Sequence, residues 1–312
     1  MHILIIADPL ESLITYKDTT YAIMVELASR GLELSHCLSS GLSVRNHGVY
    51  AKHTPFQVDT TSTPWFLGGR EEVSKVNQFD AILMRSDPPF DLEYLYSTQI
   101  LTFAEHSGVK VFNSGQAIRD YNEKLAILNF SRWIPPTLVS TRTEDIYYFL
   151  KQERDIIVKP LDGMGGREIY HLTQGDHNTQ SILESLMKYD TRTIMAQRYL
   201  PEVKAGDKRV LLINGEVVPY ALARIPKPGE LRANLAVGAK AVAKKLTKRE
   251  KKIAEDLSPQ LKEDGIFLAG LDIIGGYLTE LNVTSPTCFQ EITQQTECNV
   301  PKLFVDALLD CL

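Results

Sequence analysis

The stretch "DIIVKPLDGMGGREIY", residues 155–170, runs an apolar strand into a lysine and a proline, bunches three glycines around a methionine, and resumes a strand-like pattern. A loop of this kind offers little side chain to a core and a good deal of bare backbone amide, so it either closes an ordinary hairpin or receives something anionic. Lys159 favours the second reading. A lysine at the end of "DIIV" is awkward in a buried strand, but it suits a charge that reaches a phosphate while Gly163, Met164, Gly165 and Gly166 close over it as a lid. The spacing is neither G-x-x-x-x-G-K-[ST] nor G-x-G-x-x-G, so the P-loop and dinucleotide fingerprints are both absent.

Downstream, "LDIIGGYLTELN" sets Asp272, Glu280 and Asn282 around a Gly275-Gly276 turn. Glu280 and Asn282 are two apart on a strand and share a face. Two carboxylates and an amide oxygen are hard ligands that suit Mg²⁺, which commonly takes one or two carboxylates together with substrate phosphates. Register sets a condition. With a two-residue turn Asp272 opposes Thr279 and faces away from Glu280. A three-residue loop, or a bulge, is needed to bring the acids together. Arg209, Arg224 and Arg232 each lie near a turn or strand end in the same third of the chain, and three such forks beside a metal site suit a polyanionic substrate.

Upstream, short apolar runs alternate with helical patterns: "HILIIA", "DTTYAIMVELASRG", "FDAILMR", "STQILTFAEHSG" and "VKVFN". Asp18 is placed to cap the first helix and Gly31 to end it. This alternation predicts a parallel sheet with covering helices, whose ligands collect beyond the carboxyl ends of the strands. The loops "ADPLESLITYKDTT" and "MRSDPPFD" occupy those ends. A helix "EKLAILNF" and another near residues 143–152 precede the glycine loop, and "KRVLLING" and "EVVPYALARI" meet at Asn214-Gly215, a hairpin signal. Three units are expected: 1–121, 122–202 and 203–312.

Bulk properties agree. The 312 residues, 44% of them apolar, can build more than one core, and a formal charge of -5 argues against a general nucleic-acid or anionic-membrane partner. The basic run "KKLTKREKK", residues 244–252, therefore reads as a solvated helix face. Cys37, Cys288, Cys298 and Cys311 have no CxxC spacing, the seven histidines form no ligand-like set, and no nucleophile elbow is present. The start "MHILIIADPL" lacks the features of a secretory signal, and no uncharged run spans a bilayer, so a cytoplasmic protein is expected.

A lysine, a glycine lid, a carboxylate–carboxylate–asparagine set and a cationic pocket together resemble the ATP-grasp ligases. Within them "YKDTTYAIM", "ILMRSDPPFD", "RDYNEKL", "IIVKPLDGMGG", "MAQRYLP", "GDKRVLLINGE", "ALARIP" and "GLDIIGGYLTELNVTSPTC" resemble the bacterial glutathione synthetase family over nearly the whole chain. The resemblance implies an ATP-grasp fold behind a Rossmann-like N-terminal α/β domain. It implies that Lys124 and Lys159 hold ATP phosphates, that Gln197, Arg198, Tyr199 and Leu200 form the adenine hinge, and that Asp272, Glu280 and Asn282 bind Mg²⁺, two ions being expected and Mn²⁺ an alternative. Arg209, Arg224 and Arg232 match positions that bind the peptide and its developing phosphate, with Asn234 and Ser285 beside them. Lys17, Asp18 and Thr19, opening a helix, are placed for a substrate carboxylate, and Arg85 joins them. The implied reaction joins γ-glutamylcysteine to glycine with ATP as co-substrate, in a homo-oligomer, dimer or tetramer.

Two departures stand out: Ser86 where a basic residue is expected, and "RANLAVGAKA" in place of a glycine-richer run. Rival readings are a D-alanine or peptide-tail ligase, which shares the ATP residues, and a non-catalytic nucleotide-binding protein, against which the intact metal set counts.

Overall fold

The computed structural model describes residues 1–227 and 238–312. Its first sheet is built from β1 (His2–Ile6), β2 (Glu33–Cys37), β3 (Leu42–Arg45), β4 (Gly48–Val58), β5 (Phe66–Gly68), β6 (Glu72–Lys75), β7 (Ala81–Met84) and β8 (Lys110–Phe112). The order is β3-β4-β2-β1-β7-β8, with β5 and β6 paired to β4. Pairings from β2 through β8 are parallel, as the sequence pattern predicts. The rest is a correction: β4 runs antiparallel to β2 and carries β3, β5 and β6 as an antiparallel arm. That arm is easy to miss, because β3, β5 and β6 are only 4, 3 and 4 residues long and the longer β4 buries alternate residues that include a polar one, Val49, Ala51 and His53.

Helix α1 (Thr19–Ser29) starts where Asp18 accepts the Tyr21 N–H at 3.0 Å, and Gly31 beyond its end has φ +76°. Helices α2 (Leu92–His106) and α3 (Gly115–Asp120) follow. One face of the sheet, with Leu4, Ile6, Ile82 and Met84, packs on Leu101 and Ala104 of α2. Both faces of the central strands are covered, which is why "HILII" is continuously apolar.

The segment "EKLAILNF", expected as an α-helix, forms a 3-10 turn over Leu125–Phe130. Beyond it β9 (Thr137–Ser140), β10 (Asp155–Pro160), β11 (Tyr170–Thr173) and β12 (Ile194–Arg198) make an antiparallel sheet in the order β11-β10-β12-β9. Helices α4 (Thr143–Glu153) and α5 (Thr179–Met187) cover one face, burying Ile156, Val158 and Ala196. The residues between them, Ile157, Lys159 and Gln197, therefore turn to the opposite face.

The third sheet orders β13 (Asp207–Ile213), β14 (Glu216–Ile225), β15 (Lys240–Lys245), β16 (Leu268–Ile274) and β17 (Tyr277–Asn282) as β15-β14-β13-β16-β17. At the β13–β14 turn Asn214 and Gly215 have φ +49° and +86°, the left-handed pair a two-residue hairpin requires. Val210, Leu212 and Leu271 face α6 (Lys248–Glu263). Leu211, Ile213 and Leu222 face a core shared with β1, α1, α7 (Phe289–Gln295) and α8 (Val300–Asp310). The basic run 244–252 is split between the end of β15 and the start of α6, not one helix; on α6 Lys251 pairs with Glu255 and Lys252 with Asp256 across exposed surface. Asn113, just after β8, accepts the N–H groups of Phe267 and Leu268 and donates to the carbonyls of Leu268 and Val283, all within 2.7–2.8 Å, tying the first sheet to the third. Among the described residues no helix is long and apolar enough to cross a membrane.

Candidate active site

The face of β10 and β12 that the helices leave bare looks across a cavity of about 370 Å³ at the charged end of the third sheet. Period two explains that end. Asp207 and Arg209 continue the face of Leu211 and Ile213, and Arg224 continues that of Leu222, so a strand face that is apolar at one end becomes ionic where it enters the cavity. Arg209 grips Asp272 with both forks, Nε to Oδ1 at 2.5 Å and Nη2 to Oδ2 at 3.0 Å. Arg224 Nη2 reaches Asp272 Oδ2 at 2.8 Å and also bonds Asp207. Burial alone would raise the Asp272 pKa, but the two guanidinium groups hold it far below the usual carboxylate range. Asp207, with one fork beside it, is pushed up to about 6 by its burial.

The β16–β17 hairpin meets the register condition by a bulge. Gly275 and Gly276 have φ +58° and +79° and make a two-residue turn, pairing Ile274 with Tyr277 and Ile273 with Leu278. A bulge at Thr279 then sets Asp272 opposite Glu280. The same bulge frees the Thr279 carbonyl from the ladder, and it accepts from Lys159 Nζ at 3.0 Å. Lys124 Nζ sits 2.8 Å from Glu280 Oε1 and donates to the Gly163 carbonyl at 2.6 Å, linking the glycine loop to the hairpin. Burial lowers the Lys159 pKa. It also works against Lys124, where Glu280 outweighs it and holds the ammonium above its ordinary value. Around Glu280 burial is in turn outweighed by Lys124 and Lys159, which keep its carboxyl ionised.

The donor set suits a hard cation. Asp272 and Glu280 supply carboxylates, and Asn282 spends its amide N–H on the Gly270 carbonyl at 3.1 Å, leaving its oxygen for a ligand. Asp207 Oδ1 and Arg224 Nε are both buried without a partner among the described residues, an acceptor and a donor side by side in the wall. The glycine loop is held at both ends by Arg192, which reaches Asp162 at 2.7 Å and Glu168 at 3.2 Å.

Residues singled out from sequence divide as follows. Lys124, Lys159, Gly163 to Gly166, Gln197 to Leu200, Arg209, Arg224, Asp272, Glu280, Asn282 and Ser285 line this one cavity. Lys17, Asp18, Thr19 and Arg85 lie outside its lining. Asp18 caps α1, Thr19 Oγ1 accepts the Phe289 N–H, and buried Arg85 donates to Thr20 and the Pro286 carbonyl, while Lys17 is exposed. Arg232 and Asn234 fall outside the described residues, as does Ala233. Ser86, standing where a basic residue is expected, is buried, with its hydroxyl 2.7 Å from that of Ser39.

Residues 1–119 match the family described as "Prokaryotic glutathione synthetase, N-terminal domain", and residues 123–297 match "Prokaryotic glutathione synthetase, ATP-grasp domain". The chain belongs to the prokaryotic glutathione synthetase family. It is 58% identical to the glutathione synthetase of Neisseria meningitidis serogroup A over 314 residues, covering 99% of each chain. It is 48% identical to that of Ralstonia nicotianae, covering 99% of this chain and 95% of the relative. Among solved structures the D-cycloserine synthetase DcsG superposes with a TM-score of 0.69 over 99% of both chains at 13% identity, a likeness of fold alone. The fold is ATP-grasp. The cavity of this family member also holds residues that the sequence reading passed over: Asp87, Glu123, Asp207 and Cys288. Asp207 was within reach, being two residues from Arg209 on one strand and so on the same face. Glu123 had only its place beside Lys124 as a signal.

Proposed function

We propose that this chain makes glutathione in the cavity between its second and third sheets by activating the cysteinyl carboxylate of γ-glutamylcysteine as an acylphosphate, with glycine as the acceptor. The observation that carries the reading is a whole-length identity of 58% to a glutathione synthetase combined with one cavity into which the glycine loop, Lys124, Lys159 and the Asp272–Glu280–Asn282 set all face.

ATP is a substrate of the family's reaction. Lys124 and Lys159 face its phosphates, the loop 163–166 covers them, and Gln197 to Leu200 receive the base. Mg²⁺ held by Asp272, Glu280 and Asn282 would supply neutralisation of phosphate charge. In the first step the carboxylate oxygen forms a bond to the γ-phosphorus as the bond to ADP breaks. In the second the glycine ammonium gives one proton to solvent, its amine attacks the acyl carbon, and phosphate leaves with the C–O bonding pair and takes up the second N–H proton. Arg209 and Arg224 stand where negative charge develops on the tetrahedral intermediate, fixed in advance by Asp272 and Asp207. The loop serves to keep water from the acylphosphate. Functional divisions at 121/122 and 202/203 follow from this assignment, with ATP held by the second and third units. We also propose a cytoplasmic homo-oligomer; large side chains left exposed along α2, Leu92, Tyr96 and Phe103, support association.

Phosphate release from Mg-ATP tests the reading, with γ-glutamylcysteine and glycine omitted in turn and the product identified by mass. Release that needs all components and yields glutathione is expected. Release with a different amine would move the protein to a sister ligase.

A further inference from the structure

The reaction proposed above takes a second substrate that carries a positive charge at neutral pH, the ammonium group of glycine. Five carboxylates stand in the cavity wall: Asp87, Glu123, Asp207, Asp272 and Glu280. Three already face cations, Asp272 and Asp207 those of Arg209 and Arg224, and Glu280 that of Lys124. Asp87 is exposed at the rim. Glu123 differs from all of these. It is partly buried, its Oε1 accepts from Thr284 Oγ1 at 2.7 Å, and among the described residues it makes no ion pair.

The backbone fixes where it points. The Glu123 carbonyl accepts the Leu281 N–H at 2.8 Å, pinning this segment to β17. From that anchor consecutive side chains diverge: Lys124 goes to Gly163 and Glu280, on the phosphate side, and Glu123 goes to Thr284, in the chain that leads to Ser285, Thr287 and Cys288. A carboxylate held in a partly dry wall without an ion-pair partner among the described residues costs free energy that a cationic ligand recovers. Burial, with the Glu280 charge nearby, pushes the Glu123 pKa up against the opposing pull of the Thr284 hydrogen bond and the more distant Lys124 and Arg209 charges.

We propose that Glu123 receives the ammonium group of the acceptor amino acid, with Thr284 fixing the orientation of its carboxylate. The assignment rests on the glutathione-forming reading. It makes Glu123 a recognition residue for the second step alone, because the acylphosphate forms before the acceptor reacts.

Glu123→Gln keeps the shape and the acceptor for Thr284 and removes only the charge. The KM for glycine should rise about 10- to 100-fold, the size of a lost hydrogen bond to a charged group. The KM values for ATP and γ-glutamylcysteine should stay within about twofold. Hydroxylamine, uncharged near neutral pH, traps the acylphosphate as a hydroxamate, and that rate should not change. Thr284→Val should raise the same constant by less. An unchanged glycine KM overturns the proposal. So does a joint loss of hydroxamate formation and all three KM values, which marks a structural role, or a raised Mg²⁺ requirement at constant glycine KM, which marks a metal ligand. Failure of the glutathione reading itself looks different: the unmutated protein would form hydroxamate and ignore glycine.

Discussion

Replacing Lys159 by methionine separates what its ammonium does for ATP from what it does for the fold. The group is buried, 6% exposed, and donates to the Thr279 carbonyl that the bulge released. A hydrogen bond from a charged group is worth about 1.5–3 kcal/mol, so kcat/KM for ATP should fall about 10- to 150-fold. Stability should not fall with it. Two contributions oppose each other: the Thr279 carbonyl loses its donor, and the interior is relieved of a charge. Burial, the first cause of the lowered pKa, disfavours the charge that methionine removes. The sign in pH follows. Below the ordinary lysine value of 10.5 the unfolded chain binds this proton more tightly than the native one, so stability contributed here rises with pH toward that value. Lys159→Met should remove that rise and leave the thermal midpoint at pH 7 unchanged or higher. Steady-state kinetics with ATP varied, and circular-dichroism melts near pH 7 and pH 9.5, check both halves. An unaltered ATP constant, or a midpoint lowered by more than about 5 °C, roughly 1–2 kcal/mol for a chain of this size, would refute the reasoning.

Asp272→Asn should cost about 3–5 kcal/mol, because Arg209 and Arg224 stay buried without their shared counter-charge. A urea midpoint measures it, and the acid limb should flatten as well, since a depressed carboxyl contributes stability that is lost as pH falls below its ordinary 3.8. Arg192→Ala breaks pairs whose acidic partners are largely exposed, so stability should change by less than about 1 kcal/mol. Trypsin should nonetheless cut faster after Arg167 in the released glycine loop, as read on a gel. His2 and His53 share the Ser35 hydroxyl at 2.9 and 3.0 Å, and burial lowers both pKa values. They contribute stability above 6.5 that is lost as pH falls, so unfolding curves from about pH 7 to pH 5 should be flatter for His53→Gln than for the native chain.

Much of the site was legible because its residues announce themselves by type and spacing. Lys159 before a glycine cluster, Glu280 and Asn282 at i and i+2, and Asn214-Gly215 between two apolar runs each carry a local physical requirement, and each sits where that requirement puts it. The parallel strands and capped helices of the first unit were legible for the same reason. The β3–β6 arm was not, because β3, β5 and β6 are too short to show a period and the buried positions of β4 include a polar His53, and "EKLAILNF" was not, because its apolar spacing fits a tight 3-10 turn as well as an α-helix.

What the sequence by itself determined, then, was the set of local conformations and the chemical inventory: glycines where φ must be positive, and carboxylates, an amide oxygen, lysines and arginines able to meet in one site. The tertiary structure decided which of those groups meet. A bulge at Thr279 chose the side to which Glu280 turns, and neither apolar periodicity nor turn length encodes that choice. Packing of α7 against the first sheet engaged Thr19 and Arg85 in hydrogen bonds, and the approach of Thr284 to Glu123 left that carboxylate with a hydroxyl and no ion pair among the described residues. The contacts of Thr19, Arg85 and Glu123 depend on pairings between residues more than a hundred positions apart, settled by burial and charge balance across the whole molecule and not by any window of the chain.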